Sequence, residues 1–131
     1  MDRIDSLLKK QYWIIDIFPK QVPDSARGQY FTIEKYYMRG ENLADVQEKK
    51  TNIILKINCY YDIFVEGMGD NPAPESLSKS IRKRELNILT GNSLIVTDPD
   101  DTYMTLYNPD QELLELMRTI AMAEGLFVWK P

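Results

Sequence analysis

The sequence predicts an α+β domain, with a mostly antiparallel or mixed sheet of about 5–6 strands and 3–5 helices packed on it. Three observations lead there. Apolar residues switch along the chain between helical spacing and strict alternation. Three strand-like segments then follow one another across 86–107, separated by the Gly91-Asn92 dipeptide and the Asp98-Pro-Asp-Asp101 turn, which favours a meander over parallel crossovers. Finally, residues 43–65 hold the most continuous apolar stretch, and its periodicity changes from helix to strand partway. At 131 residues the chain fits one domain, 1–131, able to bury roughly two thirds of its unfolded surface.

Taken in order, Ile4, Leu7, Leu8 and Gln11 share one side of a short amphipathic helix, with Asp2 and Asp5 at its start and Lys9 and Lys10 at its end. Residues 12–18, YWIIDIF, are dense in aromatic and β-branched side chains and predict a strand. Trp13, Ile15 and Ile17 share one face of it, and Asp16 is the one polar exception on the other. Pro19 and Pro23 make 19–28 a loop. The segment 29–38 fits either a helix or a strand and leans to helix.

Asn42 is placed to cap a long helix over 43–58, which leads through Cys59 into a strand over 60–66. Cys59 lies inside the apolar run and is expected to be buried. A loop over 67–76 follows, and then a peripheral helix with only Leu77 and Ile81 as apolar contacts, beside Lys79, Arg82, Lys83 and Arg84. Strands at 86–90 and 93–97 flank Gly91-Asn92 as a hairpin, and 102–107 alternates as a third strand. Asn108 as cap, Pro109 at the first helical position and Gln111 completing a capping box predict a helix over 109–124, closed by Gly125. The last segment, LFVWK, is expected to pair inside the sheet.

Composition narrows function mainly by exclusion. Apolar residues at 44% and charged residues at 27% match ordinary globular proteins, so neither disorder nor a fibrous repeat is indicated. Sixteen basic and twenty acidic side chains leave a net charge of −4, the wrong sign for general phosphate attraction, so nucleic acid is disfavoured. There is no histidine, which excludes serine-histidine and cysteine-histidine catalysis and the commonest zinc ligand. A single cysteine rules out an internal disulfide and points to a reducing, cytoplasmic setting. The N-terminus does not read as a signal peptide, and no stretch approaches a membrane span.

Three groups of residues could carry chemistry. Asp98, Asp100 and Asp101, with Asp110 beyond, offer oxygen ligands to Mg²⁺ or Ca²⁺, yet DPDDTYMTLYNP lacks the glycine and glutamate of an EF-hand, and Asp-Pro turns form for conformational reasons alone. The basic run near Lys79 could meet phosphate, although it has no interleaved aromatics and reads first as a solvated helix face. Eight tyrosines, paired at Tyr36-Tyr37 and Tyr60-Tyr61, supply contact area typical of interfaces, though sheet packing also uses such residues.

These observations point to a small cytoplasmic, non-enzymatic interaction protein of immunity or regulatory type, with another protein as partner. Its expected contacts are Tyr36, Tyr37, Tyr60, Asp98, Asp100 and Asp101, with no cofactor and no catalytic or metal residue assigned. The alternative is a metal-dependent hydrolase or nuclease, in which Asp98, Asp100 and Asp101 hold a divalent cation and Lys83 or Arg84 orients phosphate. A small-molecule-binding domain built on the sheet aromatics is the third reading. Oligomeric state is not encoded in any of these patterns.

Overall fold

The Gly91-Asn92 turn joins the two most fully paired strands of the structure, a computed structural model that describes residues 2–131. Thr90 pairs with Ser93, leaving two residues for the turn, and Gly91 takes a φ of +55°, which its missing Cβ permits. In chain order the elements are α1 (Arg3–Leu7), β1 (Tyr12–Asp16), α2 (Tyr30–Tyr37), α3 (Gly40–Tyr60), β2 (Phe64–Val65), β3 (Gly69–Asp70) and α4 (Pro74–Ile81), followed by β4 (Leu86–Thr90), β5 (Ser93–Thr97), β6 (Met104–Tyr107), α5 (Gln111–Ala123) and β7 (Phe127–Trp129). The strands form one open antiparallel sheet in the order β3-β2-β4-β5-β6-β1-β7. The fold is therefore α+β, as the sequence patterns imply.

Alternation divides the sheet into two faces. Trp13, Ile15, Ile88, Ile95 and Leu106 point to one, where Ile53, Ile54 and Ile57 of α3, Leu77 and Ile81 of α4, and Leu113, Met117 and Ile120 of α5 complete the main core. The opposite face is thinly covered. There Ile4 and Leu7 of α1 pack on Leu94, with Leu89, Val96 and Tyr107 around them. Asp2 caps α1 by accepting from the Ile4 amide.

Several boundaries differ from expectation for identifiable reasons. The long helix expected at 43–58 runs from Gly40 to Tyr60, because extended backbone at Arg39 serves as its N-cap. Asn42 therefore lies inside α3, and its Nδ2 donates to the Tyr36 carbonyl at 3.0 Å, tying α2 to α3. Cys59 is exposed, contrary to the expected burial. It follows the core residue Ile57 by two positions, about 200° around a helix. The strand expected over 60–66 shrinks to Phe64–Val65, because Tyr60 still belongs to α3 and Tyr61 ends it.

The expected loop at 67–76 contains the edge strand β3, which returns on β2 with Val65 opposite Gly69. The helix α4 is less peripheral than expected, since Leu77 and Ile81 are fully buried. Helix α5 starts two residues late. Asp110, rather than Asn108, caps it by accepting from the Leu113 amide at 2.8 Å. Asn108 instead adopts a φ of +57° and donates to the Asn92 carbonyl, while Gln111 bonds Glu115 and completes no capping box. β7 pairs with β1, but at the open edge of the sheet. Among the described residues, no helix is long and apolar enough to cross a membrane.

Candidate functional site: an aromatic helix beside an acidic turn

Aromatic and β-branched residues are middling helix formers, so α2 needs help from its neighbours. Tyr30 donates to Glu34 Oε2 at 2.6 Å one turn later, and Asn42 satisfies the Tyr36 carbonyl at the far end. Tyr30 also packs against Phe18, with ring centroids 5.5 Å apart. The glutamate bond and burial push the Tyr30 phenol up to about 12. No residue of α2 is buried. Phe31 remains 75% exposed and Tyr36 58%, with Ile33, Tyr37 and Met38 also open to solvent.

The acidic turn Asp98-Pro99-Asp100-Asp101 joins β5 to β6 and closes on itself: Asp98 Oδ1 accepts from the Asp100 amide at 2.9 Å, and the Asp98 carbonyl accepts from the Asp101 amide at 3.2 Å. The carbonyls of Asp98, Pro99 and Asp101 also accept from α3. Lys50, fully buried, donates to the carbonyl oxygens of Asp98 and Asp101. Gln47, one turn earlier, donates to the Pro99 carbonyl, while its own Oε1 is buried without a partner. Burial lowers the Lys50 amine to about 8, against the pull of Asp101, Asp98 and Asp16. Asp101 is pushed up, first by burial and then by Asp98, with Lys50 opposing.

Between these two features lies a cavity of about 260 Å³, lined among others by Asp16, Phe18, Tyr30, Glu34, Tyr103 and Trp129. Cross-strand pairing sets Ile14 opposite Trp129 and Asp16 opposite Phe127, so the cavity floor is the face of the sheet turned away from Trp13 and Ile15. The Asp16 carboxyl is buried and accepts from the Ile17 amide at 2.7 Å. Burial raises it to about 6, although the amides of Ile17 and Phe18 and the Trp129 indole favour its charged form. That indole N–H is buried and makes no hydrogen bond of normal geometry.

Tyr36 and Tyr37 stand together on α2, their rings in edge contact with centroids 5.4 Å apart. Glu34 of α2 exerts only the weakest of the influences on the Asp101 carboxyl. Tyr60 is 70% exposed but does not join the α2 tyrosines, since it ends the 21-residue α3 whose N-terminus holds α2. A helix of that length spans about 30 Å. Asp98, Asp100 and Asp101 share the turn, but among the described residues no three carboxylate or thiol side chains converge to hold a metal. The cation at the turn is Lys50 itself, on the backbone oxygens.

Sequence reasoning passed over Asp16, Glu34, Gln47, Lys50 and Trp129. Asp16 carried a signal, as the one charge within a dense apolar strand. Lys50 carried none, because QEKK reads as solvated helix. No family model, curated protein or solved structure matches the chain.

Proposed function

We propose that this chain is a small cytoplasmic protein-binding module, non-enzymatic and of immunity or regulatory type, which engages a basic surface of its partner through α2 and the adjoining acidic turn. The observation that carries this reading is α2 itself. A helix of eight residues that buries none of them, while showing Phe31, Ile33, Tyr36 and Tyr37 to solvent, contributes little to the core and supplies the aromatic anchors that interfaces favour. Charge supports a partner of opposite sign, since the chain carries twenty acidic against sixteen basic side chains and the β5–β6 turn adds three carboxylates.

Affinity isolation from the native cell, with wild-type chain and the Phe31→Ser/Tyr36→Ser double variant in parallel, tests it. A protein partner with a basic surface is expected on the wild type, with affinity lower by at least about tenfold for the variant. A partner retained equally by both would remove α2 from the interface, and a wild-type chain that captures no protein above background would overturn the reading.

A further inference from the structure

The cavity behind α2 has two carboxylates and four aromatic rings, a combination that core packing does not require. We propose that this cavity is a binding site for an organic cation, a guanidinium or alkylammonium head, supplied by an arginine or lysine side chain of the protein partner; the source of the cation rests on the docking reading above.

Three features select this chemistry. The first is charge. Asp16 from β1 and Glu34 from α2 both line the cavity, and neither has an ion-pair partner among the described residues. The Ile17 and Phe18 amides and the Trp129 indole favour the ionised Asp16, yet burial outweighs them, so a cation would supply what those donors do not offset. Lys50 approaches Asp16 electrostatically from α3, but it makes no ion pair with it, and two of its three hydrogens go to the acidic turn. Lys20 is the one basic residue lining the cavity, and it is exposed.

The second is the wall. Phe18, Tyr30, Tyr103 and Trp129 bring ring faces and edges around the same space, and aromatic faces attract a desolvated cation. The Tyr30 hydroxyl donates to Glu34, which holds that carboxylate in place and leaves its other oxygen for a ligand N–H. The third is size. About 260 Å³ accommodates a side-chain head and part of its stem but falls below the usual range for drug-sized ligands, and α2 walls the cavity with Tyr30 and Glu34.

Proton linkage follows from the same geometry. Asp16 faces Glu34 and Tyr30 from α2, Lys50 from α3, Tyr103 from the approach to β6, Trp129 from β7 and Lys20 from the loop, with Asp101 beyond Tyr103. With the carboxyl raised to about 6 by burial, a cation must bind its ionised form, so affinity falls as pH drops below that value.

The test is an NMR titration of the full chain with methylguanidinium and butylammonium, using butanol and butyrate as neutral and anionic controls. The Trp129 indole N–H is the reporter and Trp13, the second tryptophan, the internal reference. Both cations are expected to shift Trp129 saturably, more weakly at about pH 5 than at about pH 7.5, while the controls do not. Asp16→Asn and Glu34→Gln should each weaken binding by at least about tenfold. Glu34 lies on α2, outside the main core, so its variant stays informative if Asp16→Asn fails to fold.

Lys20→Ala should leave cation binding unchanged or tighter. Butyrate binding that depends on Lys20, no shift with either cation, or carboxylate variants that bind like wild type would overturn the cation site. Capture of a partner through α2 with no probe binding would discard the cavity and leave the docking reading standing. Saturable probe binding with no captured protein would overturn the partner as the source.

Discussion

The buried Lys50 ammonium lies 3.0 Å from the carbonyl oxygen of Asp98, so the acidic turn between β5 and β6 is folded around a cation supplied by α3. This contact, with the Lys50 bond to the Asp101 carbonyl and the Gln47 bond to the Pro99 carbonyl, ties the backbone of the turn to α3.

Replacing Lys50 with Met leaves the Asp98 and Asp101 carbonyls short of a donor and should destabilise the fold by about 2 kcal/mol, read from urea midpoints. It should also alter the pH profile. The folded amine, at about 8, lies below its ordinary 10.5, so between those values the unfolded chain holds more protons and stability rises with pH. Tyr30, raised to about 12, acts in the opposite sense above about pH 10, so the informative window is roughly pH 8 to 10. Parallel wild-type and variant profiles across that window would refute the assignment.

Asp16 has the opposite linkage. Its folded carboxyl, at about 6, lies above its ordinary 3.8, so the folded state binds more protons in between and stability falls as pH rises from about 4 to 6. Asp16→Asn keeps an acceptor for the Ile17 amide, removes that slope and should gain about 1 kcal/mol near neutral pH, with solvent screening discounting the full linkage. Thermal unfolding at a series of pH values checks it; a variant less stable than wild type at neutral pH would contradict it.

Asn71 closes the β2–β3 hairpin back onto α3. Its Oδ1 accepts from the Ile63 amide and Asn58 Nδ2, its Nδ2 donates to Asp62, and its backbone sits at a φ of +42°. Asn71→Ala loses all three side-chain bonds and places a residue without local hydrogen bonding in the left-handed region, at an expected cost of about 2–3 kcal/mol. Asn71→Asp, which keeps the acceptor, should lose less than Ala in the same denaturation series.

The two amphipathic helices at the surface should respond in opposite ways. The Phe31→Ser/Tyr36→Ser change on α2 removes no buried contact and should stay within about 0.5 kcal/mol of wild-type stability. Leu77→Ala on α4 empties a fully buried position and should cost about 3 kcal/mol. Chemical denaturation of both distinguishes a free helix from a docked one.

Much of the fold was legible because its signals are local. The Gly91-Asn92 turn, the alternation of Leu86, Ile88 and Thr90, and the apolar face of Leu113, Met117 and Ile120 depend on backbone preference and side-chain period, which nearby residues suffice to specify. The helix start at 108–111 misled because Asn108 satisfies every local rule for a cap, yet a bond to Asn92, sixteen residues away in sequence, holds it in another conformation. Of the expected contact residues, Tyr36 and Tyr37 are exposed on α2 and the three aspartates share the β5–β6 turn, whereas Tyr60 stands at the C-terminal end of α3.

By itself the sequence determined the fold class, the order and type of nearly all elements, and the absence of histidine-based chemistry, because composition, periodicity and turn residues act within a few positions of one another. Tertiary structure alone decided that Cys59 faces solvent, that Lys50 is buried beneath the acidic turn, and that Asp16, Glu34 and Trp129 line one cavity beside an unburied α2. Each of those outcomes depends on which distant segment covers a side chain, and burial, unlike propensity, is a property of the assembled layers.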